Sequence, residues 1–122
     1  MKSVFDDSKP IFQQIADMIA DDIVEGLLKE GDQIPSTTEI SQFYQINRAT
    51  AQKGLATLVN EGLVYKQRGV GMFVAEGATN QLMKKRKELF YEQYIMPMLS
   101  EAKRIKLSDE EIIQIIKEGK HA

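Results

Sequence analysis

The chain has 122 residues, 16 Lys and Arg against 18 Asp and Glu, a formal net charge of −2, no Cys, no Trp and one His. With 43% hydrophobic and 28% charged residues it has the composition of a folded domain of ordinary size, not of a disordered segment. The lack of cysteine excludes disulfides, thiolate zinc sites, iron–sulfur clusters and thiol catalysis, and the lone imidazole, His121, gives no basis for a His-centred triad or metal site.

The first helix is predicted from Pro10, suited to an N1 position, with Ile11, Ile15, Ile19 and Ile23 repeating every fourth residue and Gly26 near the end. Residues 27–35 read as a turn and a short extended stretch, punctuated by Gly31 and Pro35. Ser36-Thr37-Thr38-Glu39 has the form of a capping box and opens a short helix to about Tyr44 that should bury Ile40 and Phe43. Gln45-Ile46 breaks that helix. Asn47 then caps a third one, with Ala51, Leu55, Leu58 and Val59 as its apolar stripe and Gly62 past its end. Gly54, inside that helix, is expected to allow close packing against the second helix.

At Leu63 the period changes from helical to alternating. Leu63-Val64-Tyr65-Lys66-Gln67 and Met72-Phe73-Val74-Ala75 flank Arg68-Gly69-Val70-Gly71, which predicts a hairpin with Phe73 in the core. Beyond Gly77, residues 78–106 read as one long amphipathic helix that Pro97 should kink or interrupt. Leu82, Leu89 and Met96 are seven residues apart, and Phe90, Tyr94, Leu99, Ala102 and Ile105 widen their stripe. Ser108-Asp109-Glu110-Glu111 is a second capping box, ahead of Ile112, Ile113, Ile115 and Ile116 and a stop at Gly119. Lys84-Lys85-Arg86-Lys87 is read as a solvated face.

The fold class that follows is mostly α with a small β-hairpin. It comprises a winged helix-turn-helix over residues 1–77 and a two-helix region over residues 78–122. The near-zero net charge hides a segregation: residues 1–45 carry −6, residues 46–75 carry +3 and the remainder +1. The positive stretch holds the start of the third helix, Asn47-Arg48-Ala49-Thr50-Ala51-Gln52-Lys53, and the hairpin tip. An Arg suits bidentate contact with guanine, a Gln suits adenine, and small residues permit close approach to the major groove. Arg68 beside Gly69 and Gly71 brings a cation and bare backbone toward phosphates or the minor groove. By residue type and position the candidate DNA-binding residues are Arg48, Gln52, Arg68, Gly69, Asn47 and Lys53.

At these residues the chain resembles the GntR family of bacterial transcription regulators. The resemblance covers about residues 10–75 and rests on five segments in order. They are Pro10-Ile11-Phe12-Gln13-Gln14-Ile15-Ala16, Gly31-Asp32-Gln33-Ile34-Pro35-Ser36, Ile46-Asn47-Arg48-Ala49-Thr50, Leu58-Val59-Asn60-Glu61-Gly62-Leu63-Val64-Tyr65 and Arg68-Gly69-Val70-Gly71-Met72-Phe73-Val74. It implies an operator-binding domain that contacts DNA through its third helix and wing, with Arg48, Thr50, Gln52, Arg68 and Gly69 at the contact positions and Thr38 at a backbone-contact position. Two positions depart from the family pattern. Thr38 stands where a basic residue is common, and Gln52 where an Arg is frequent.

The short remainder after Ala75 resembles the YtrA-type subfamily, whose tail serves mainly for dimerisation and whose members are often linked to transporter operons. Two amphipathic helices cannot enclose an isolated pocket, but they can bury a shared stripe against a symmetry mate. The expected interface residues are Leu82, Leu89, Phe90, Tyr94, Met96, Leu99, Ile112 and Ile116. The function implied is a homodimeric regulator, a repressor, on an inverted-repeat operator in double-stranded DNA, with no cofactor and no metal, and with no effector site marked by the sequence. No apolar run reaches the roughly 18–20 residues of a membrane span, and the first residues lack a signal-peptide layout, so no membrane partner and a cytoplasmic location are expected. The rival reading is a winged-helix adaptor that binds proteins and no DNA; the local +3 charge speaks against it. An enzyme would need a nucleophile–base pair, a metal cluster or a phosphate loop, and the sequence offers none.

Overall fold

A computed structural model describes residues 5–119 of the chain; His121 lies outside them. Helix α1 spans Ile11–Val24, α2 Thr37–Tyr44 and α3 Arg48–Asn60; strands β1 (Val64–Gln67) and β2 (Gly71–Val74) follow, then α4 (Ala78–Phe90). A π-helical turn (Tyr91–Ile95) joins α4 to α5 (Met96–Arg104), and α6 spans Asp109–Glu118. The chain divides into two compact units between Lys84 and Lys85, inside α4 and not at Gly77. The cause is local: Ala78 and Leu82 on the first turns of α4 are buried in the core of the first unit.

That core begins with α1. Ile15, Ile19 and Ile23 are fully buried on one face, each contributing about 1.5–3 kcal/mol, whereas Ile11 at the helix start is exposed. Pro10 lies just ahead of the helix as its N-cap, not at N1, and its carbonyl accepts from Gln13 and Gln14. Ile40, Ala51, Leu55, Leu58, Leu63, Val64 and Val74 complete the core.

Three apolar residues expected inside prove less buried. Phe43 is 67% exposed because Tyr44 takes the inward place on α2: its ring packs on Phe5 and its hydroxyl donates to Met18 Sδ at 3.4 Å. Phe43 is left edge-on against the outer side of Tyr44. Val59 is exposed since its neighbour Leu58 points inward, about 100° around the helix. Phe73 is only half-buried and stacks on Tyr65, while Val74, on the other face of β2, enters the core.

Gly54 packs against α1, not α2. A Cβ there would lie 2.9 Å from Phe12 O and 3.0 Å from Ile15 Cγ2, so the two helices meet at a point with no room for a side chain. Gly54→Val is expected to lower stability by about 1–3 kcal/mol through overpacking. Denaturant unfolding checks this, and an unchanged midpoint would contradict the close approach.

The α4 start is tied to the same unit. Gly77 N–H donates to Glu30 Oε1 at 2.7 Å, and Gln81 Nε2 donates to Glu61 O at 2.8 Å. The Gly77 hydrogen bond, aided by Thr79, holds the Glu30 carboxyl below the usual carboxylate range. That contribution is present above the ordinary carboxylate range and is lost as pH falls through the lowered value.

In the second unit Pro97 sits in the first turn of α5. It lacks an N–H and its ring crowds the carbonyl four residues back. The expected kink takes the form of the five-residue π turn, in which Met96 N–H donates to Tyr91 O. The extra residue rotates the following side chains by about 100° relative to an unbroken helix. Ser108 and Glu111 form the predicted capping box of α6, and Gly119 ends it with φ +67°. Within this unit Ala102 and Ile112 are buried.

Candidate nucleic-acid interface

The α2–α3 pair is set by its caps. Ser36 Oγ accepts from Glu39 N–H at 3.0 Å and Glu39 Oε1 accepts from Ser36 N–H at 3.1 Å, so both donors at the start of α2 are satisfied. Gln45 ends α2 in the left-handed region, φ +54°, a conformation costing a non-glycine residue about 1–2 kcal/mol. Ile46 then packs against the core, and Asn47 Oδ1 accepts from Ala49 N–H at 2.7 Å to begin α3. The result is helix, three-residue turn, helix.

The period of α3 divides its residues. Ala51, Gly54, Leu55 and Leu58 are buried, while Arg48, Ala49, Gln52 and Lys53 are exposed and Thr50 is half-buried. The exposed side of the first two turns thus carries two cations, an amide and a methyl group. Fixing the opposite side in a close-packed core gives these groups a rigid base.

The structure brings Arg48 and Thr38 together. Arg48 Nη1 donates to Thr38 Oγ1 at 2.6 Å, so α2 steadies the guanidinium presented by α3. The hydroxyl still has its own proton to donate. Lys53 instead has its ammonium 4.1 Å from the centroid of the Phe12 ring, a cation–π contact to α1. Asn47 spends its carbonyl oxygen on the cap, leaving its amide NH2 for other partners.

In the hairpin, Val64 pairs with Val74 and Gln67 with Gly71, leaving Arg68-Gly69-Val70 as the turn. Val70 N–H donates to Gln67 O at 3.0 Å, and Gly69 takes φ +76°, which glycine adopts without strain. Arg68, Gly69 and Val70 are all exposed, and Arg68 has no ion pair among the described residues.

Two contributors carry no signal in local sequence. Phe12 shows only as one more residue beside the α1 stripe. Gln33, in the stretch before α2, donates from Nε2 to Val70 O at 3.2 Å across 37 residues. The Pro35-punctuated extended stretch could have suggested a third strand, but its pairing with Phe73 is long-range.

Leu82, expected on the exposed tail stripe, is 6% exposed and lies in the core of the first unit, which withdraws it from that stripe. Ile112 is also buried. Leu89, Phe90, Tyr94, Met96, Leu99 and Ile116 are exposed, Ile116 at 70%. Among the described residues no helix is long and apolar enough to cross a membrane, and no group of three or more His, Cys, Asp or Glu side chains is placed to hold a metal ion.

A family model described as bacterial regulatory proteins, gntR family, matches residues 11–74. The chain is 32% identical over 117 residues to the transcriptional regulator YhcF of Bacillus subtilis, covering 96% of this chain and 95% of that one. It is 30% identical over 86 residues to the transcriptional repressor YtrA of Bacillus subtilis, covering 70% of this chain and 66% of YtrA. Among solved structures, a GntR family transcriptional regulator from Listeria monocytogenes superposes with a TM-score of 0.75 at 32% identity, over 93% of this chain and 98% of that one.

Proposed function

Because the chain belongs to the GntR family of bacterial regulatory proteins, we propose that it is a homodimeric repressor that binds an inverted-repeat operator. Family members are DNA-binding transcription regulators and not enzymes. The observation that carries the finer reading is the division of α3, with a buried face locked against α1 and an exposed first turn presenting Arg48 and Gln52.

In this reading Arg48 contacts guanine and Gln52 contacts adenine in the major groove. Thr50 and the Asn47 amide lie beside them at the helix start, where backbone N–H groups favour a phosphate. Thr38 steadies Arg48 and offers its hydroxyl proton to the DNA backbone, in place of the basic residue common there in the family. Lys53, held over Phe12, adds general attraction. Arg68 and Gly69 meet the phosphate backbone or the minor groove from the wing.

The tail supplies the second copy. Leu89, Phe90, Tyr94, Met96, Leu99 and Ile116 are all exposed, and in this reading a second copy covers them. The similarity to YtrA supports a YtrA-type assignment, with residues 78–119 setting the half-site spacing and a transporter operon as the regulated target.

Arg68→Ala tests the wing. Binding to many duplex sequences should weaken, and the slope of log K against log salt should become shallower by about one unit for each phosphate that Arg68 neutralises in the parent. Titration of duplex at several salt concentrations checks it. An unchanged slope with disappearance of a single base preference would make Arg68 a base reader. No duplex binding by the parent chain at any salt would favour the protein-binding adaptor.

A further inference from the structure

Gln33 lies outside the surface assigned to DNA, yet its side chain is built onto the wing. The stretch before α2 runs alongside β2 and bridges to it at one residue pair. Gly31 N–H donates to Val74 O at 2.8 Å, Val74 N–H to Asp32 O at 2.9 Å and Ile34 N–H to Met72 O at 2.9 Å, with Gln33 paired to Phe73. These bonds fix the backbone on both sides of Gln33, and the buried Ile34 next to it anchors the stretch in the core.

From that fixed base the Gln33 amide reaches Val70 O at 3.2 Å. Val70 is therefore held at both ends, its N–H by Gln67 and its carbonyl by Gln33. Gly71 makes the room. With φ +148° it adopts a backbone that side chains rarely take, and a Cβ on it would collide with the Gln33 amide. A glycine here thus serves the approach of a side chain from outside the hairpin as well as the turn itself.

A hairpin of two four-residue strands is marginal on its own, and its tip is the part that moves most. We propose that Gln33 is a positioning residue for DNA binding. By fixing Val70 C=O it holds the turn in the conformation in which Arg68 and Gly69 meet the operator. The ordering of the wing is then completed during folding and does not have to be supplied on binding. This rests on the reading of the wing as a DNA contact.

The test uses the full chain and three variants: Gln33→Ala, Arg68→Ala and the double variant. Gln33→Ala should weaken operator binding by about 3- to 10-fold, the scale of one hydrogen bond. Its thermal midpoint should stay near that of the parent, and amide hydrogen exchange at Val70, whose N–H is bonded within the turn, should quicken. Gln33→Glu, which sets a carboxylate against the Val70 carbonyl, should reproduce both effects. The double variant should lose clearly less than the sum of the two single losses, because the pin acts only through the wing. Unchanged exchange at Val70 overturns the positioning role. Additive losses in the double variant overturn it too, and make Gln33 a DNA contact in its own right. If Arg68→Ala binds as tightly as the parent while exchange still quickens in Gln33→Ala, the wing's DNA role fails, and a function for Gln33 in binding fails with it.

Discussion

Cutting the chain after Lys84 is expected to leave a folded, monomeric unit whose affinity for a two-half-site operator is lower by about 10²–10⁴-fold, with single half-site binding nearly intact. The position of the cut follows from the packing. Ala78 and Leu82 are buried in the first unit, Gln81 is bonded to the Glu61 carbonyl and Glu30 accepts from Gly77 N–H. A cut at Gly77 would remove Ala78 and Leu82 from the core of the first unit and destabilise it. Beyond Lys84 the apolar Leu89, Phe90, Tyr94, Met96 and Leu99 are exposed, and in the proposed reading a second copy covers them. When two copies are joined, occupation of one half-site presents the second reading helix at an effective concentration set by the link, which is the origin of the large factor. Sedimentation of the two chains, with titration against duplexes of one and two half-sites, checks both parts. A truncated chain that stays dimeric would place the interface in the winged unit.

Arg48→Ala is expected to cost about 1–3 kcal/mol per half-site and to relax the preference at one base position in each. The motive is structural as well as positional. Arg48 opens α3 on its exposed side, and the 2.6 Å bond to Thr38 limits the conformations its side chain must give up on binding. A flexible surface arginine would contribute general attraction, and its removal would weaken every sequence equally. A steadied one should discriminate. Affinities for the preferred operator and for single-base variants of it, measured at one salt concentration, separate the two, and a variant as tight and as selective as the parent would remove Arg48 from the reading surface.

Where chemistry is local, the sequence is read directly. Both capping boxes, the Asn47 cap, the glycine after α3 and the hairpin are each encoded within a few residues and form there, although Gly71, read as part of the hairpin turn, belongs to β2. The α1 stripe is legible for the same reason, since a repeat of four keeps Ile15, Ile19 and Ile23 on one face. Periodicity names a face without naming what covers it. That is why Phe43 and Val59 read as interior residues, why Leu82 reads as part of a tail stripe, and why the neighbour of Gly54 is α1 and not α2. Pro97 announces a disturbed helix, but whether the chain kinks or takes up an extra residue depends on the turn before it.

The candidate site divides in the same way. Arg48, Gln52 and Arg68 stand out by residue type at a helix start and a hairpin tip, which are local features. Their supports, Thr38 under Arg48, Phe12 under Lys53 and Gln33 under the wing, come from other elements and meet them only when the chain folds. Thr38 is marked as a DNA contact by the family pattern alone; its bond to Arg48 gives it a physical role that the pattern does not contain.

If two copies of this chain read DNA through the starts of their α3 helices, the bound sequences must carry the symmetry of the pair. Recovery of bound duplexes from a random pool by the full chain tests this most directly. The expected result is an inverted repeat whose half-sites lie about one or a small whole number of helical turns apart, with a preference at each that Arg48→Ala relaxes. Recovery of an unrepeated motif, or of no motif above the starting pool, would contradict it.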